Sequence, residues 1–396
     1  MDNRDYYCSM KFKFLKIDLG SKTTYNCHAA APHSIDFDWL KENPGNLFNT
    51  KTNIFEREQM LKNERNASCE QNCWSAEDHG AQSPRLYQGG VKKTHKETVT
   101  YPETIDLTIG ADCNLTCSYC CKEYSNAWRR DVVKNGNYAI TSAHDDRYQT
   151  NTKDKALLKI SQSKLKNTEH YQILLREIEL SAARLKTLVI TGGEPLLDNA
   201  LIEILEKLNI PSSTKIELYT GLGLSNSRFL SMIKKIKKVR NLIIKISSEN
   251  IGQLLEFNRY GVKWVEFSQK IDILRKEKVN FEFHSTLSNL TMFGFKNFYE
   301  QYCSDKIVVT FAYQPKMMSP HIIDKHSKEL IIKDLLTLPK DVHEPILKSI
   351  KSEPNELERQ NIKEFLCEFT KRRKDLDLKV FPKTFLEWLQ IENVLQ

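Results

Sequence analysis

Three cysteines fall within eight residues in Cys113-Asn-Leu-Thr-Cys117-Ser-Tyr-Cys120, directly after the alternating apolar stretch 104–109. A short loop leaving a strand curls its side chains toward a common point, so three thiolates can converge on one metal centre. Iron–sulfur clusters usually take four thiolates, and a loop that offers three leaves one iron open to another ligand. A zinc site and a group of buried structural thiols are the alternatives. Zinc sites more often use paired C-x2-C units or histidines, and no second pair lies nearby in the sequence.

The cysteine distribution supports a metal role. Eight of the ten cysteines precede residue 122, and only Cys303 and Cys367 stand apart. That grouping is too clustered for a disulfide scaffold and suits ligation in a reducing compartment. At 396 residues the chain can bury a large core in two or three structural units. No apolar run approaches membrane-spanning length, and the first residues lack a basic-then-apolar leader pattern. The expected location is the cytoplasm, with no membrane partner. The net charge of +8 is modest for this size, and the lysine run at 234–238 falls on a helical pattern as a solvated face. Nucleic acid is not an expected partner.

Residues 1–90 read as a separate small unit. Cys8 and Cys27 flank an alternating stretch around Gly20-Ser21, which predicts a hairpin. A Gly45-Asn46-Leu47 step, a helical run over 54–66 and a closing pair, Cys69 and Cys73, follow, with Glu77, Gly80, Ser83 and Arg85 trailing. Two hairpin cysteines and two more after a helix make a plausible four-thiolate cage. His28 and His33 are read as ordinary loop histidines. Residues 91–103 are polar with a proline near their end and form the linker.

From residue 104 the chain alternates. Candidate strands are 104–109, 187–191, 215–220, 241–247, 280–287 and 306–313, with helical patterns at 154–185, 198–208, 226–238, 251–258, 265–278 and 294–303. Six β/α repeats predict an α/β fold with a parallel sheet and helices outside it. Right-handed crossovers would curl the sheet into a partial (β/α)6 barrel, which occupies residues 104–321. The charged stretch 126–150 reads as an aperiodic loop over the barrel mouth. There Trp128, Arg129, Arg130, Asp145, Asp146 and Arg147 would line a groove. Residues 322–396 read as a carboxy-terminal helical extension.

Within the repeats, Leu188-Val-Ile-Thr-Gly192-Gly193-Glu194-Pro195 runs from a buried strand into paired glycines, where a ligand can approach the backbone. Pro195 suits the first turn of a following helix. Active sites of such sheets lie at the carboxyl ends of the strands, which singles out Thr220, Ser247 and His284. His284 could act as a general base, although a satisfied strand histidine is commoner. Cys121, next to the cysteine loop, is read as structural and is the one spare thiol there.

The C-x3-C-x2-C loop with Tyr119 before its last cysteine, followed one β/α unit later by Gly-Gly-Glu-Pro, resembles the radical S-adenosylmethionine (radical SAM) superfamily. The resemblance implies a six-stranded partial barrel and a [4Fe-4S] cluster on Cys113, Cys117 and Cys120, with SAM on the open iron. It also implies SAM contacts from Tyr119, Gly192, Gly193, Glu194, Pro195, Thr220 and Ser247, and an electron donor such as flavodoxin or ferredoxin. The amino-terminal pattern resembles the twitch or SPASM-like auxiliary-cluster unit, which implies a second [4Fe-4S] cluster on Cys8, Cys27, Cys69 and Cys73. It departs from that pattern in preceding the barrel and in spacing its closing pair C-x3-C, so a structural zinc site stays open. The function this implies is reductive cleavage of SAM to a 5′-deoxyadenosyl radical that abstracts hydrogen from a peptide or protein side chain. The alternatives are an RNA-modifying enzyme, an enzyme acting on a small molecule (a sugar, aminocyclitol or cofactor precursor), and a non-catalytic metal protein.

Overall fold

The structure, a computed structural model, describes residues 5–78, 83–87, 89–93, 99–140, 146–158, 168–198 and 200–391. His79, Gly80, Asp145 and residues 94–98 of the linker lie outside them. It is a mixed α/β protein in which parallel strand pairing predominates, and the chain forms two compact units.

The first unit comprises Met1–Gly110, Ser161–Leu218 and Lys234–Ile243. It contains strands β1 (Phe14–Asp18), β2 (Thr23–Tyr25), β3 (His33–Ser34), β4 (Thr104–Thr108), β5 (Thr187–Thr191) and, as far as Leu218, β6 (Lys215–Thr220). The expected hairpin is present, as β1 pairs antiparallel with β2 and β2 with β3. On its other edge β1 pairs in parallel with β4, setting Lys16 opposite Asp106. The amino-terminal segment and the first β/α repeat therefore share one sheet, which continues in parallel through β5 and β6. Strand β5 alternates as a sheet with one covered face requires, with Leu188 and Ile190 buried and Thr187, Val189 and Thr191 half-buried.

Helix α1 (Phe37–Glu42) and helix α2 (Lys51–Leu61) follow the hairpin, each started by a side-chain cap, Asp36 and Thr50. Helix α4 (Glu169–Ser181; α3 is in the second unit) buries Tyr171, Leu174, Leu175 and Ile178 at i, i+3, i+4 and i+7. Its Glu177 accepts from the backbone N–H groups of Gly45 (2.7 Å) and Leu47 (3.0 Å). That pair of bonds is what the Gly-Asn-Leu step does here.

The second unit comprises Ala111–Ile160, Tyr219–Ile233 and Ile244–Gln396. Its strands β7 (Leu242–Ser247), β8 (Phe281–Leu287) and β9 (Ile307–Phe311) pair in parallel. All six strands of the β/α reading thus exist, each within about two residues of its expected bounds. Helices α5 (Ala200–Lys207), α6 (Asn226–Ile236), α7 (Gly252–Asn258), α8 (Trp264–Lys276) and α9 (Phe295–Tyr302) fall where the periodicity put them. The carboxy-terminal segment is helical, as expected, with α10 (Lys325–Leu335), α11 (Lys340–Ser349), α12 (Glu356–Arg372) and α13 (Lys383–Trp388). No helix of the described residues is long and apolar enough to cross a membrane.

One expectation fails. Residues 126–150 do not form an aperiodic loop, because helix α3 (Asn126–Asn135) occupies their first half, capped by Ser125. Trp128 is fully buried, with ring centroids of Tyr148 at 5.1 Å, Tyr138 at 5.6 Å and Phe369 at 5.8 Å. Arg129 is buried as well, bonded to Asn126 and paired with Asp154. Trp128 and Arg129, spent on this core, cannot line a substrate groove, whereas Arg130 on the same helix is exposed. Trp128→Ala should destabilise the protein by about 3–5 kcal/mol, read as a lower urea midpoint. A loss under ~1 kcal/mol would contradict this packing.

Candidate metal centres

The loop of Cys113, Cys117 and Cys120 follows β4 in the chain and is held from several sides within the second unit. Ser125 Oγ donates to the Leu115 carbonyl (2.7 Å), and Asn126 Nδ2 donates to Asp112 (2.7 Å). Trp128 Nε1 donates to the Cys117 carbonyl (3.0 Å), so the buried indole also positions a cysteine. Asn114 Nδ2 donates to the Gly223 carbonyl (2.6 Å), and Ser118 N to that of Asn258 (2.8 Å). Arg373, just past α12, donates through Nε to Thr116 Oγ1 (3.0 Å) and pairs with Asp131 (3.0 Å). The carboxy-terminal helices, from which sequence reasoning drew no function, brace this loop.

Cys113, Cys117 and Cys121 all lie near enough to oppose ionisation of Cys120. The Cys120 thiol is pushed well up, first by its hydrogen bond with the Cys121 thiol and then by burial. Cys117 is buried, while Cys113 and Cys120 are half-buried. The Cys120 thiol therefore stays protonated at neutral pH until a metal takes the proton's place. Cys121 is buried at the edge of this group.

Sequence reasoning puts Glu249 at the rim, two residues past Ser247, but misses Arg259 and the pairing of the two behind the loop. Residues 116–117 pair antiparallel with 259–260, Cys117 opposite Arg259. Arg259 Nη1 lies 3.9 Å from Cys117 Sγ, while its Nε (3.1 Å) and Nη2 (2.6 Å) bond to the Glu249 carboxylate. Tyr119 donates its hydroxyl to the same carboxylate (2.9 Å) and accepts from Arg259, and Thr286 N donates to it as well (3.0 Å). The side chains of Arg259 and Glu249 are 5% and 1% exposed. Burial pushes the Tyr119 phenol well above its ordinary value. Tyr119 is thus engaged by an ion pair that lies 130 and more residues away in sequence, with no local signal to reveal it.

In the first unit, Gly192 has φ +146°, and a Cβ there would stand 2.8 Å from the Gly110 carbonyl oxygen. That oxygen accepts from Gly193 N (2.7 Å). What closes on the paired glycines is therefore the backbone of Gly110. Glu194 is buried and its carboxylate caps the turn Pro195–Leu197, accepting from Leu196 N (3.3 Å) with Pro195 at the first position. In the second unit, Thr220 is buried and its hydroxyl accepts from Leu222 N (2.9 Å), and Ser247 lies opposite His284 at the end of β7. His284 has Thr310 Oγ1 at 3.2 Å and the Tyr219 ring edge-on at 5.1 Å.

Cys8, Cys27, Cys69 and Cys73 come together more completely. All four line one small cavity in the first unit, with Lys11, Trp74 and Arg85. Cys8 precedes the turn Ser9–Phe12, Cys27 follows β2, Cys69 ends the turn Ala67–Cys69, and Cys73 lies in the wide turn Glu70–Trp74. Burial pushes the Cys8 thiol up to about 11 and those of Cys27 and Cys73 to about 12. Lys11 is fully buried against Glu56 and Ser68, and Arg85 pairs with Glu77 and donates to the Tyr7 carbonyl (3.0 Å). Ser83 donates to Glu77 too, so the trailing Glu, Ser and Arg form one knot beside the cysteines. A Cβ on Gly90 would stand 2.9 Å from Cys8 Sγ, so the chain there must be glycine. Neither His28 nor His33 lines the cavity; His33 bonds Thr50 (3.1 Å), and His28 packs on Phe14. Among the described residues, no three His, Cys, Asp or Glu side chains are arranged to hold a single metal ion.

The fold and these loops define an α/β protein, mostly parallel in its strands, with one three-thiol loop and one four-thiol cavity. No family model matches the chain. It is similar to 7-carboxy-7-deazaguanine synthase of Clostridium acetobutylicum, with 26% identity over 121 residues. That match covers 31% of this chain and 38% of the synthase, well under half the relative's length. Among solved structures the chain is similar to native anSMEcpe with bound AdoMet (14% identity, TM-score 0.37, 63% of each chain). It is also similar to native anSMEcpe with bound AdoMet and Kp18Cys peptide (13%, TM-score 0.36, 63% of this chain and 62% of that one). TM-scores this low do not establish a shared fold.

Proposed function

We propose that the chain is a radical SAM enzyme whose Cys113, Cys117 and Cys120 hold a [4Fe-4S] cluster with one iron left to SAM. The observation that carries this reading is the braced loop that holds one buried and two half-buried thiols, with Cys113 and Cys117 both near enough to Cys120 to oppose its ionisation. The donor set fits the group, because three cysteine ligands leave one position open. A cluster bound there supplies an electron for cleavage of SAM to methionine and a 5′-deoxyadenosyl radical, which takes hydrogen from the substrate. Tyr119, Gly192, Gly193, Glu194, Pro195, Thr220 and Ser247 are the SAM contacts by resemblance, on a partial barrel over 104–321. Flavodoxin or ferredoxin in the cytoplasm would serve as electron donor. Residues 1–90 are the auxiliary unit, with a second cluster on Cys8, Cys27, Cys69 and Cys73, followed by the linker 91–103. Residues 322–396 brace the cysteine loop.

For the substrate, the small-molecule reading is now favoured over the peptide reading. Two of the six residues expected to line a groove over 126–150, Trp128 and Arg129, are buried on helix α3, which weakens the support for a peptide. The strands carry polar groups suited to a polar molecule, buried at Lys16, Asp106, Lys245 and Glu282 and half-buried at Thr191, His284 and Thr310. In the first unit these are the Lys16–Asp106 pair with Thr191, and in the second the Lys245–Glu282 pair with Lys306 and His284 with Thr310. The curated relative's name, a synthase of a small carboxylated deazaguanine, points the same way. The test is anaerobic incubation of reduced protein and SAM with a metabolite fraction, a peptide fraction or bulk RNA, while 5′-deoxyadenosine is measured. Stimulation by the metabolite fraction alone is expected. Stimulation by peptides alone would restore the peptide reading, and by RNA alone the nucleic-acid one.

A further inference from the structure

The buried Arg259–Glu249 ion pair lies beside a candidate ligand sulfur. The guanidinium divides its nitrogens, Nη1 toward Cys117 Sγ at 3.9 Å, Nε and Nη2 toward the Glu249 carboxylate. The carboxylate is in turn fixed by the Tyr119 hydroxyl and Thr286 N. Neither charge can be screened by water, since the two side chains are 5% and 1% exposed. In such surroundings a unit charge a few ångströms from a sulfur acts far more strongly than at a surface. Cluster potentials respond to local net charge and to hydrogen bonds on the sulfurs.

We infer that the Arg259–Glu249 pair sets the reduction potential of the cluster through Cys117, with Arg259 raising it and Glu249 holding that effect in check. Both are positioning residues, and the inference rests on the reading of Cys117 as a cluster ligand. The electron added on reduction increases negative charge on the cluster and its sulfurs, which a neighbouring cation favours and a neighbouring anion opposes. The competing account is a structural ion pair that locks residues 116–117 to 259–260. The two differ in sign. Structural loss moves R259Q and E249Q alike, whereas an electrostatic role moves them in opposite directions.

The experiment is an electron paramagnetic resonance redox titration of the full chain, its R259Q, R259K and E249Q variants, and iron and sulfide content for each. The signal that changes on adding SAM identifies the open-iron cluster and separates it from any second one. R259Q should lower the midpoint and E249Q raise it, each by at least tenfold in the reduced-to-oxidised ratio at fixed poise, ~59 mV for one electron. R259K, which keeps the charge, should fall between wild type and R259Q. Midpoints that stay put or move the same way overturn the inference, as does loss of iron in both R259Q and E249Q. If R259Q alone loses iron, E249Q decides, with a raised midpoint in support and any other against. Absence of a SAM-responsive signal in wild type would instead sink the underlying assignment of the cluster.

Discussion

Alanine at Cys113, Cys117 or Cys120 should abolish 5′-deoxyadenosine formation from SAM by the reduced protein. Each thiol is one of three, and a cluster short of a ligand on this loop either fails to assemble or loses the single open iron that SAM needs. Cys117 should be the most damaging position, since it is buried, its carbonyl accepts from Trp128, and Arg259 faces its sulfur. Cys120 needs one more control, because the thiol of Cys121 is hydrogen-bonded to it and could take its place. Residual turnover in C120A that vanishes in C120A/C121A would reveal that substitution. Cys303 and Cys367 are exposed and far from either group in sequence, so their alanine variants should behave as wild type. Undiminished turnover in all three loop variants would reject the radical SAM reading. The measurement is chromatography of the nucleoside product under anaerobic reduction, with iron content taken on the same samples.

How much of this was legible in the sequence depends on how local each interaction is. The six repeat strands were legible because a parallel strand covered by helices reads as a short apolar run ending in turn residues. The shared cavity of Cys8, Cys27, Cys69 and Cys73 was foreshadowed by a hairpin with two cysteines and a helical run leading to two more. Helix α3 was not seen, although its signals were present. Ser125 stands at the cap, Trp128 and Val132 lie at i and i+4, and Gly136 follows the last turn. Its charges outweighed them in the reading, and the buried face was overlooked. The partners of that face, Phe365, Phe369 and Arg373, lie more than two hundred residues on, where no local pattern announces a contact. The same holds for Glu249 and Arg259 behind Tyr119, and for Lys16 with Asp106 across two strands. In each case a charged residue reads as surface until tertiary pairing buries it with its counter-ion.

The amino-terminal cysteines give the sharper test of what the second centre is. Their cavity is lined by thiols from three separate stretches, around Cys8, Cys27 and Cys69–Cys73, each fixed by its own contacts. Gly90 lies against Cys8, Trp74 Nε1 donates to the Asn66 carbonyl (2.8 Å), and Asn72 Nδ2 to that of Ala29 (2.8 Å). None of these ties runs through Cys113, Cys117 or Cys120, so the triple alanine variant of that loop should keep the amino-terminal site intact. It should retain about four irons and four sulfides per chain, the content of one fully cysteine-ligated cluster. With every iron held by the protein, SAM should leave its spectrum unchanged, in contrast to the wild-type loop cluster. A centre of that kind conducts electrons and does not bind substrate. Stoichiometric zinc with no residual iron would instead make it a structural site. In that case its removal by a chelator should unfold the first unit, because four buried thiols and a buried Lys11–Glu56 pair would lose the ion that organises them.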